Sequence, residues 1–255
     1  MSQFESIQKN LHNLRMPTAV EIVGDLLTTA ARENWTLENF LTELLEQEME
    51  GRHQRRIERL QKSSHLPAGK TLESFDQEHL PLRLRRQLSQ LCTGDFVNRA
   101  ENLLIFGLPG RGKTHFAAAV GHQLIQSGHS VLFTPTFRLV DDLLRAKRDL
   151  LLEQELRRLD CFEVLILDDI GYVQQSRDEM EVLFTLLAER YERRCVIITS
   201  NLVFSQWDQI FKDPLTTAAA IDRVVHHSVI VEFGKELTSH RAQEAALRIQ
   251  DQTPE

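Results

Sequence analysis

Asn102-Leu103-Leu104-Ile105-Phe106-Gly107-Leu108-Pro109-Gly110-Arg111-Gly112-Lys113-Thr114-His115 is an apolar run of strand length followed by G-x-x-x-x-G-K-[ST], with every fixed position of that pattern satisfied. This is a phosphate-binding loop. Gly107, Gly110 and Gly112 can turn successive backbone N–H groups inward, and a helix beginning near Lys113 adds the partial positive charge of its N-terminus. The loop assigns Gly107, Leu108, Pro109, Gly110, Arg111, Gly112, Lys113, Thr114 and His115 to a nucleotide. Lys113 is expected to reach the terminal phosphates, and the Thr114 hydroxyl to sit on Mg²⁺.

Outward from the loop, strands and helices alternate. Phe116 to Ile125 has a helical pattern rich in small residues, and Val131 to Phe133 reads as a second strand. A charged helix is expected over 137–159, with a possible break near Asp149. Val164 to Leu167 is a third strand, 178–191 an amphipathic helix, Val196 to Ile198 a fourth strand, 214–227 a helix and Val229 to Val231 a fifth strand. Short, wholly apolar strands separated by helices predict an α/β fold, a parallel five-stranded sheet covered by helices on both faces.

The third strand ends in Asp168-Asp169. In an open parallel sheet ligands bind at the C-terminal ends of the strands, so a carboxylate there stands beside the phosphate loop. Asp168 is assigned to the metal, largely through water, and Asp169 to orienting or deprotonating an attacking water. The fourth strand closes in Thr199-Ser200-Asn201, from which Asn201 can hydrogen-bond a γ-phosphate or that water. Arg223, in Ile221-Asp222-Arg223-Val224-Val225-His226-His227, suits an arginine that acts on a neighbouring subunit's nucleotide; a surface ion pair is the alternative. Arg241 is a candidate second phosphate sensor.

The chain before the loop is of another kind. Residues 4–33 read as two helices, with Pro17 in the first turn of the second. From Thr36 a further helix carries Leu37, Phe40, Leu41, Leu44, Leu45 and Met49 on one stripe, and its second half is crowded with Arg52, Arg55, Arg56, Arg59 and Lys62. Residues 63–81 lose periodicity around Pro67, Gly69 and Pro81, and a helix over 82–98 leads into the first strand. The domains expected are a helical one at 1–65, a nucleotide domain at 66–245 and a polar tail at 246–255.

The chain of 255 residues has a net charge of −7, unevenly spread. Residues 1–50 hold three Lys/Arg against nine Asp/Glu, while residues 51–99 hold ten against five. Arg52, Arg55, Arg56 and Arg59 are therefore either a solvated helix face or contacts to backbone phosphates of DNA. Cys92, Cys161 and Cys195 are too few and too far apart for a disulfide framework or a zinc pattern. No H-E-x-x-H occurs, and His226-His227, expected on different faces of a helix, are read as core or surface residues. No apolar run approaches bilayer length and the first residues do not resemble a secretory signal, so a cytoplasmic location and no membrane partner are expected.

With these motifs in order, the chain resembles the IstB-type transposition helper ATPases, relatives of the DnaC-type helicase loaders in the AAA+ superfamily. The resemblance rests on Gly107 to His115, Asp168-Asp169-Ile170-Gly171-Tyr172, Thr199-Ser200-Asn201, Asp222 to His227, the Glu-rich helix with a basic end at Leu41 to Leu60, and Lys70-Thr71-Leu72-Glu73-Ser74-Phe75-Asp76. It implies an ATP- and Mg²⁺-dependent homo-oligomer on double-stranded DNA that assists the transposase of the same insertion sequence, with Asn201 as first sensor and Arg223 as trans-acting finger. Two positions depart from the family pattern: Asp169 stands where Glu is usual, and Ser239-His240-Arg241 where Ser-Tyr-Arg is usual. Only 22 residues follow Phe233, so no C-terminal lid domain is expected. A replicative helicase loader is the nearest alternative. A small-metabolite kinase is a more distant one, and the absence of N-K-x-D after the loop argues against a GTPase.

Overall fold

The computed structural model describes residues 2–78, 80–172, 176–202 and 224–234. Arg223, Arg241, nearly all of the helix expected from Pro214, the tail and the question of a lid lie outside the described residues. Two compact units are formed, Met1–Arg59 and Leu60–Glu255, and the division falls within a single long helix.

The first unit contains α1 (Gln3–Asn13), α2 (Pro17–Glu33) and most of α3 (Leu37–Ser64). Ser2 and Glu5 close a reciprocal cap on α1, and Asn34 ends α2 in the left-handed conformation. The core is Leu11, Ala19, Val23, Leu26 and Leu44, with Met16, Val20, Ile22, Trp35 and Phe40 packed on it. The stripe expected on α3 is thus only partly buried: Leu44 is inside, while Leu37, Leu41, Leu45 and Met49 are exposed. Phe40, Leu44 and Glu48 follow one another at i,i+4 on the line facing α2, and the other leucines lie one residue further round the helix.

Glu48 fixes that packing. Its carboxylate, 2% exposed, accepts the Ala19 N–H at 3.0 Å in the first turn of α2, where Met16 offers no side-chain cap. It also accepts Arg52 Nε at 2.8 Å and lies 3.3 Å from an Arg55 nitrogen. Arg52 donates further to Arg15 O at 2.8 Å, and Arg55 to Thr18 Oγ1 at 2.7 Å. Two of the four belt arginines thus join α3 to the start of α2.

The second unit begins with the last turn of α3 and continues through α4 (Leu82–Leu91), α5 (Asp95–Asn98) and β1 (Asn102–Gly107). The single helix expected over 82–98 is broken where Gly94 takes φ +81° and caps α5; a Cβ there would be strained by that φ and stand tight, at 3.1 Å, against His129. Then come α6 (Lys113–Gln126), β2 (Val131–Pro135), α7 (Thr136–Arg148), α8 (Leu152–Asp160), β3 (Val164–Asp168), a 3-10 turn at Ile170–Tyr172, α9 (Arg177–Arg190), β4 (Cys195–Ser200) and β5 (Ser228–Phe233). The break near Asp149 is present, with Leu150 at φ +59°.

All five strands are parallel, in the order β2-β3-β4-β1-β5. Leu104, Phe106, Leu132, Leu165, Leu167, Val196 and Ile198 form one face and pack with α7, α8 and α9. Alternate residues such as Leu103, Ile105 and Ile166 serve the opposite face under α6, where Gly121 approaches so closely that an added Cβ would stand 2.8 Å from Ile166. On the outer strand β5, Ile230 O accepts from the Gln87 amide of α4 at 3.1 Å, which ties α4 to the sheet edge.

Burial opposes ionisation of Glu48, but the Arg52 hydrogen bond, the Ala19 N–H and the Arg52 and Arg55 charges outweigh it and hold the carboxyl below its ordinary range. A carboxylate with a lowered folded pKa stabilises above its unfolded pKa and loses that contribution as pH falls through the folded value. Glu48→Gln is therefore expected to cost the first unit about 1–2 kcal/mol near neutral pH. In urea melts followed by Trp35 fluorescence, the difference from wild type should shrink in acid.

Candidate functional site

The sheet order dictates the site. β1 lies between β4 and β5, and β3 lies next to β4, so the C-terminal ends of β1, β3 and β4 open on one edge. Gly107, the last residue of β1, pairs with Phe233, and a Cβ there would come within 2.6 Å of Phe233 Cβ. Glycine is required by this close approach. Gly110 and Gly112 take φ +78° and +92°, and Gly112 caps the start of α6 in the left-handed region.

Lys113 is 9% exposed, and its ammonium donates to Gly107 O at 2.7 Å and Leu108 O at 3.1 Å. The cation is thereby folded back over the mouth of its own loop. Thr114, half-buried, opens the helix beside it. His115 is turned toward the chain before β1: its Nε2 lies 3.1 Å from both Ser74 Oγ and Thr71 O. Phe75 meets the His115 ring edge-on at 4.8 Å and Phe116 at 6.1 Å, and Phe116 meets Phe233 at 5.5 Å. The linker segment Thr71 to Phe75 is thus strapped to the base of the phosphate loop, with Phe75 Cε2 at 3.5 Å from where a Gly112 Cβ would stand.

Opposite the loop, Thr199 organises the acidic pair. Its hydroxyl accepts the Asp169 N–H at 2.8 Å and donates to Asp168 Oδ1 at 2.7 Å. Thr136, at the start of α7, donates to Asp168 O at 3.0 Å. Asp169 has φ +62°, which a non-glycine residue adopts at a cost of the order of 1 kcal/mol or more and which the bond to Thr199 helps to hold. Thr199 lies near the end of β4, in a polar string from which the sequence singles out Asn201, and only the pairing of β3 with β4 brings its hydroxyl to Asp168.

Asn201 follows on the same edge. The Ser200 hydroxyl donates to Leu202 O at 2.9 Å and accepts its N–H at 3.0 Å, closing a turn around Asn201. A Cβ on Gly171 would collide with Asn201 Oδ1, so the glycine after Ile170 clears space for the amide. That oxygen is buried and has no hydrogen-bond partner among the described residues. An unsatisfied buried acceptor beside Gly171 calls for a donor such as an ordered water, while the amide nitrogen is the group able to donate to a phosphate oxygen. Arg223 and Arg241 fall outside the described residues, so the edge as described unites the loop, Asp168, Asp169 and Asn201.

Residues 9–246 match the family model described as IstB-like ATP binding protein. Among similar proteins, one from Sinorhizobium fredii named for an insertion sequence and ATP binding is 44% identical over 239 residues, covering 93% of this chain and 80% of the relative. A similarly named protein of insertion sequence IS21 from Pseudomonas aeruginosa is 41% identical over 234 residues, covering 92% and 88%. Of solved structures, the DnaC helicase loader superposes with a TM-score of 0.56 at 17% identity over 65% of this chain and 97% of that one. AMPPCP-bound DnaA from Aquifex aeolicus gives 0.53 at 19% identity, over 75% and 57%. The structural likeness speaks for the fold, and the sequence relatives for descent. The chain belongs to the IstB-like ATP binding protein family and is a P-loop ATPase with an AAA+ fold.

Proposed function

We propose that this ATPase is a DNA-bound helper of transposition. It assembles on duplex DNA as a homo-oligomer, and ATP hydrolysis at the C-terminal sheet edge governs how it presents target DNA to the transposase of the same insertion sequence. The observation that carries the hydrolytic half is the acidic pair fixed through Thr199 opposite the phosphate loop. The partners rest on similarity to proteins named for insertion sequences.

Gly107 to Thr114 would hold the phosphates through backbone N–H groups, with Lys113 exchanging its two loop carbonyls for phosphate oxygens. Thr114 and Asp168 would hold Mg²⁺, which neutralises phosphate charge when bound. Asp169 orients the attacking water and takes its proton, and Asn201 hydrogen-bonds that water or the γ-phosphate. Asp169 is one methylene shorter than the Glu usual at this position. Arg223 stabilises developing charge on the γ-phosphoryl group of an adjacent subunit, and Arg241 is a second sensor. A helicase loader is the alternative that the DnaC and DnaI structures favour. Co-purification with the cognate transposase supports the first reading, and capture of the replicative helicase alone would replace it.

For DNA, Arg52, Arg56 and Arg59 are exposed on α3 and Arg55 is half-buried, with Arg52 and Arg55 also paired to Glu48. Of the two readings of this basic half-helix, a solvated face or phosphate contacts, the second is the one proposed for all four. Phosphate contacts are expected to give a steep fall of affinity with salt and little dependence on base sequence. Arg56→Ala and Arg59→Ala should each lower the log–log salt slope by about 1, measured by fluorescence anisotropy. An unchanged slope in both would remove α3 from the interface.

Hydrolysis itself separates the roles. Asp169→Asn should bind ATP with near wild-type affinity and lose at least about 100-fold in turnover. Arg223→Ala should bind ATP normally and lose the stimulation by duplex DNA, and mixing it with Lys113→Ala subunits should restore part of the rate. Duplex-stimulated turnover equal to wild type in Arg223→Ala would exclude the trans-acting role.

A further inference from the structure

The N-terminal edge of the sheet carries a second group of chemically able side chains that nucleotide hydrolysis leaves unused. Glu192 lies in the turn after α9, and His226 and His227 in the turn before β5. One ligand-capable atom from each lies within 4.8 Å of those from the other two, and among the described residues no other group of three His, Cys, Asp or Glu is so arranged. His227 Nε2 is 3.1 Å from Glu192 Oε1, and the two imidazole rings meet edge-on with centroids 4.3 Å apart. Adjacent histidines within a helix would diverge, as expected from the sequence. Here the helical conformation stops at Val225, and the chain turns at His226 and His227, which brings both rings to Glu192.

Both turns are anchored from beneath. His227 O accepts the Asn102 N–H at 2.7 Å, and the buried Asn102 amide donates to Val224 O at 3.2 Å and accepts the Val196 N–H at 2.9 Å. Glu192, at φ +56°, sits in a turn closed by the Arg193 and Arg194 N–H groups on Arg190 O at 3.0 and 2.9 Å. The Arg190 guanidinium, 2% exposed, donates to Leu159 O, Phe162 O, Glu163 O and Cys195 O at 2.9–3.2 Å, and burial pushes its pKa down to about 10. The Tyr191 hydroxyl lies 3.4 Å from His226 Nδ1, an outer partner of the type that orients a ligating imidazole.

Two neutral imidazoles and a carboxylate suit a borderline ion, whereas Mg²⁺ prefers oxygen donors alone. Donors about 2.0–2.1 Å from a tetrahedral zinc are about 3.4 Å apart, so exposed side chains need only small rotations to close on an ion. We propose that Glu192, His226 and His227 bind one divalent transition ion, Zn²⁺ by ligand chemistry, leaving a fourth position to water. The ion would tie the turn before β4 to the turn before β5, roughly 17 Å from the nucleotide edge by the rise of about 3.3 Å per residue along β4.

The test is calorimetric titration of ZnCl₂ into the chelator-stripped full chain in excess Mg²⁺, repeated with Co²⁺ to read its visible absorption. One equivalent is expected to bind wild type, with the stronger visible bands of low-coordinate Co²⁺. His226→Ala and His227→Ala should each weaken binding by about tenfold or more, and Glu192→Gln, which keeps the side-chain shape, should weaken it as well. Cys161→Ser, which removes an exposed competing thiol, should leave binding unchanged. Absence of binding in wild type, or undiminished binding in a folded His226→Ala/His227→Ala double variant, would overturn the assignment. The ATPase assignments of Asp169 and Arg223 stand or fall separately from either result.

Discussion

The position of β1, hydrogen-bonded on one side to β4 and on the other to β5, is the constraint from which the rest of the second unit follows. A parallel sheet gathers all its strand ends of one polarity on a single edge, and backbone pairing fixes their relative heights. The phosphate loop therefore emerges between Phe233 and Asn201, one strand from Asp168. The hold of Thr199 on the acidic pair is a consequence of register: Leu104 opposite Ile198 and Leu165 opposite Val196 put Thr199 at the end of β3, where one hydroxyl holds both acidic residues.

The opposite edge obeys the same constraint. Asn102 opens β1 and ties the entries of β4 and β5 together, so that the turn bearing His226 and His227 and the turn bearing Glu192 are carried by the same pairing that builds the nucleotide site. Ahead of the sheet, the linker from Thr71 to Phe75 is bound to His115 and Phe116 of the loop helix. His115, which the sequence places among the nucleotide contacts, spends its ring on this strap.

Much of the nucleotide domain is legible because its signals are local. Wholly apolar runs mark all five strands, and the loop pattern and the Asp168-Asp169 pair mark the edge that matters. What escapes the sequence depends on partners far along the chain. Thr199 gains its role only from the β3–β4 register. The helix break is made at Gly94, whose left-handed φ caps α5 after α4 has ended at Leu91. On α3 a stripe of six apolar residues is wider than the face α2 covers, which leaves Leu41 and Met49 outside. Arg52 and Arg55 look like a plain charge run in the sequence, yet both pair with the buried Glu48, a partner that only the packing of α3 on α2 reveals. The convergence of His226 and His227 follows from a helix ending two residues earlier than periodicity suggests.

One threonine hydroxyl is proposed to set the geometry in which ATP is cleaved. This role is tested most directly by single-turnover hydrolysis in Thr199→Val, an isosteric change that removes the hydroxyl and keeps the branched shape. Asp168 then loses a donor and the Asp169 N–H an acceptor, while the loop that binds the phosphates is untouched. The account predicts ATP affinity within a few-fold of wild type and a hydrolysis rate lower by about 10–1000-fold, a loss of some 1.4–4 kcal/mol in transition-state stabilisation. Wild-type turnover in a folded Thr199→Val protein would contradict it.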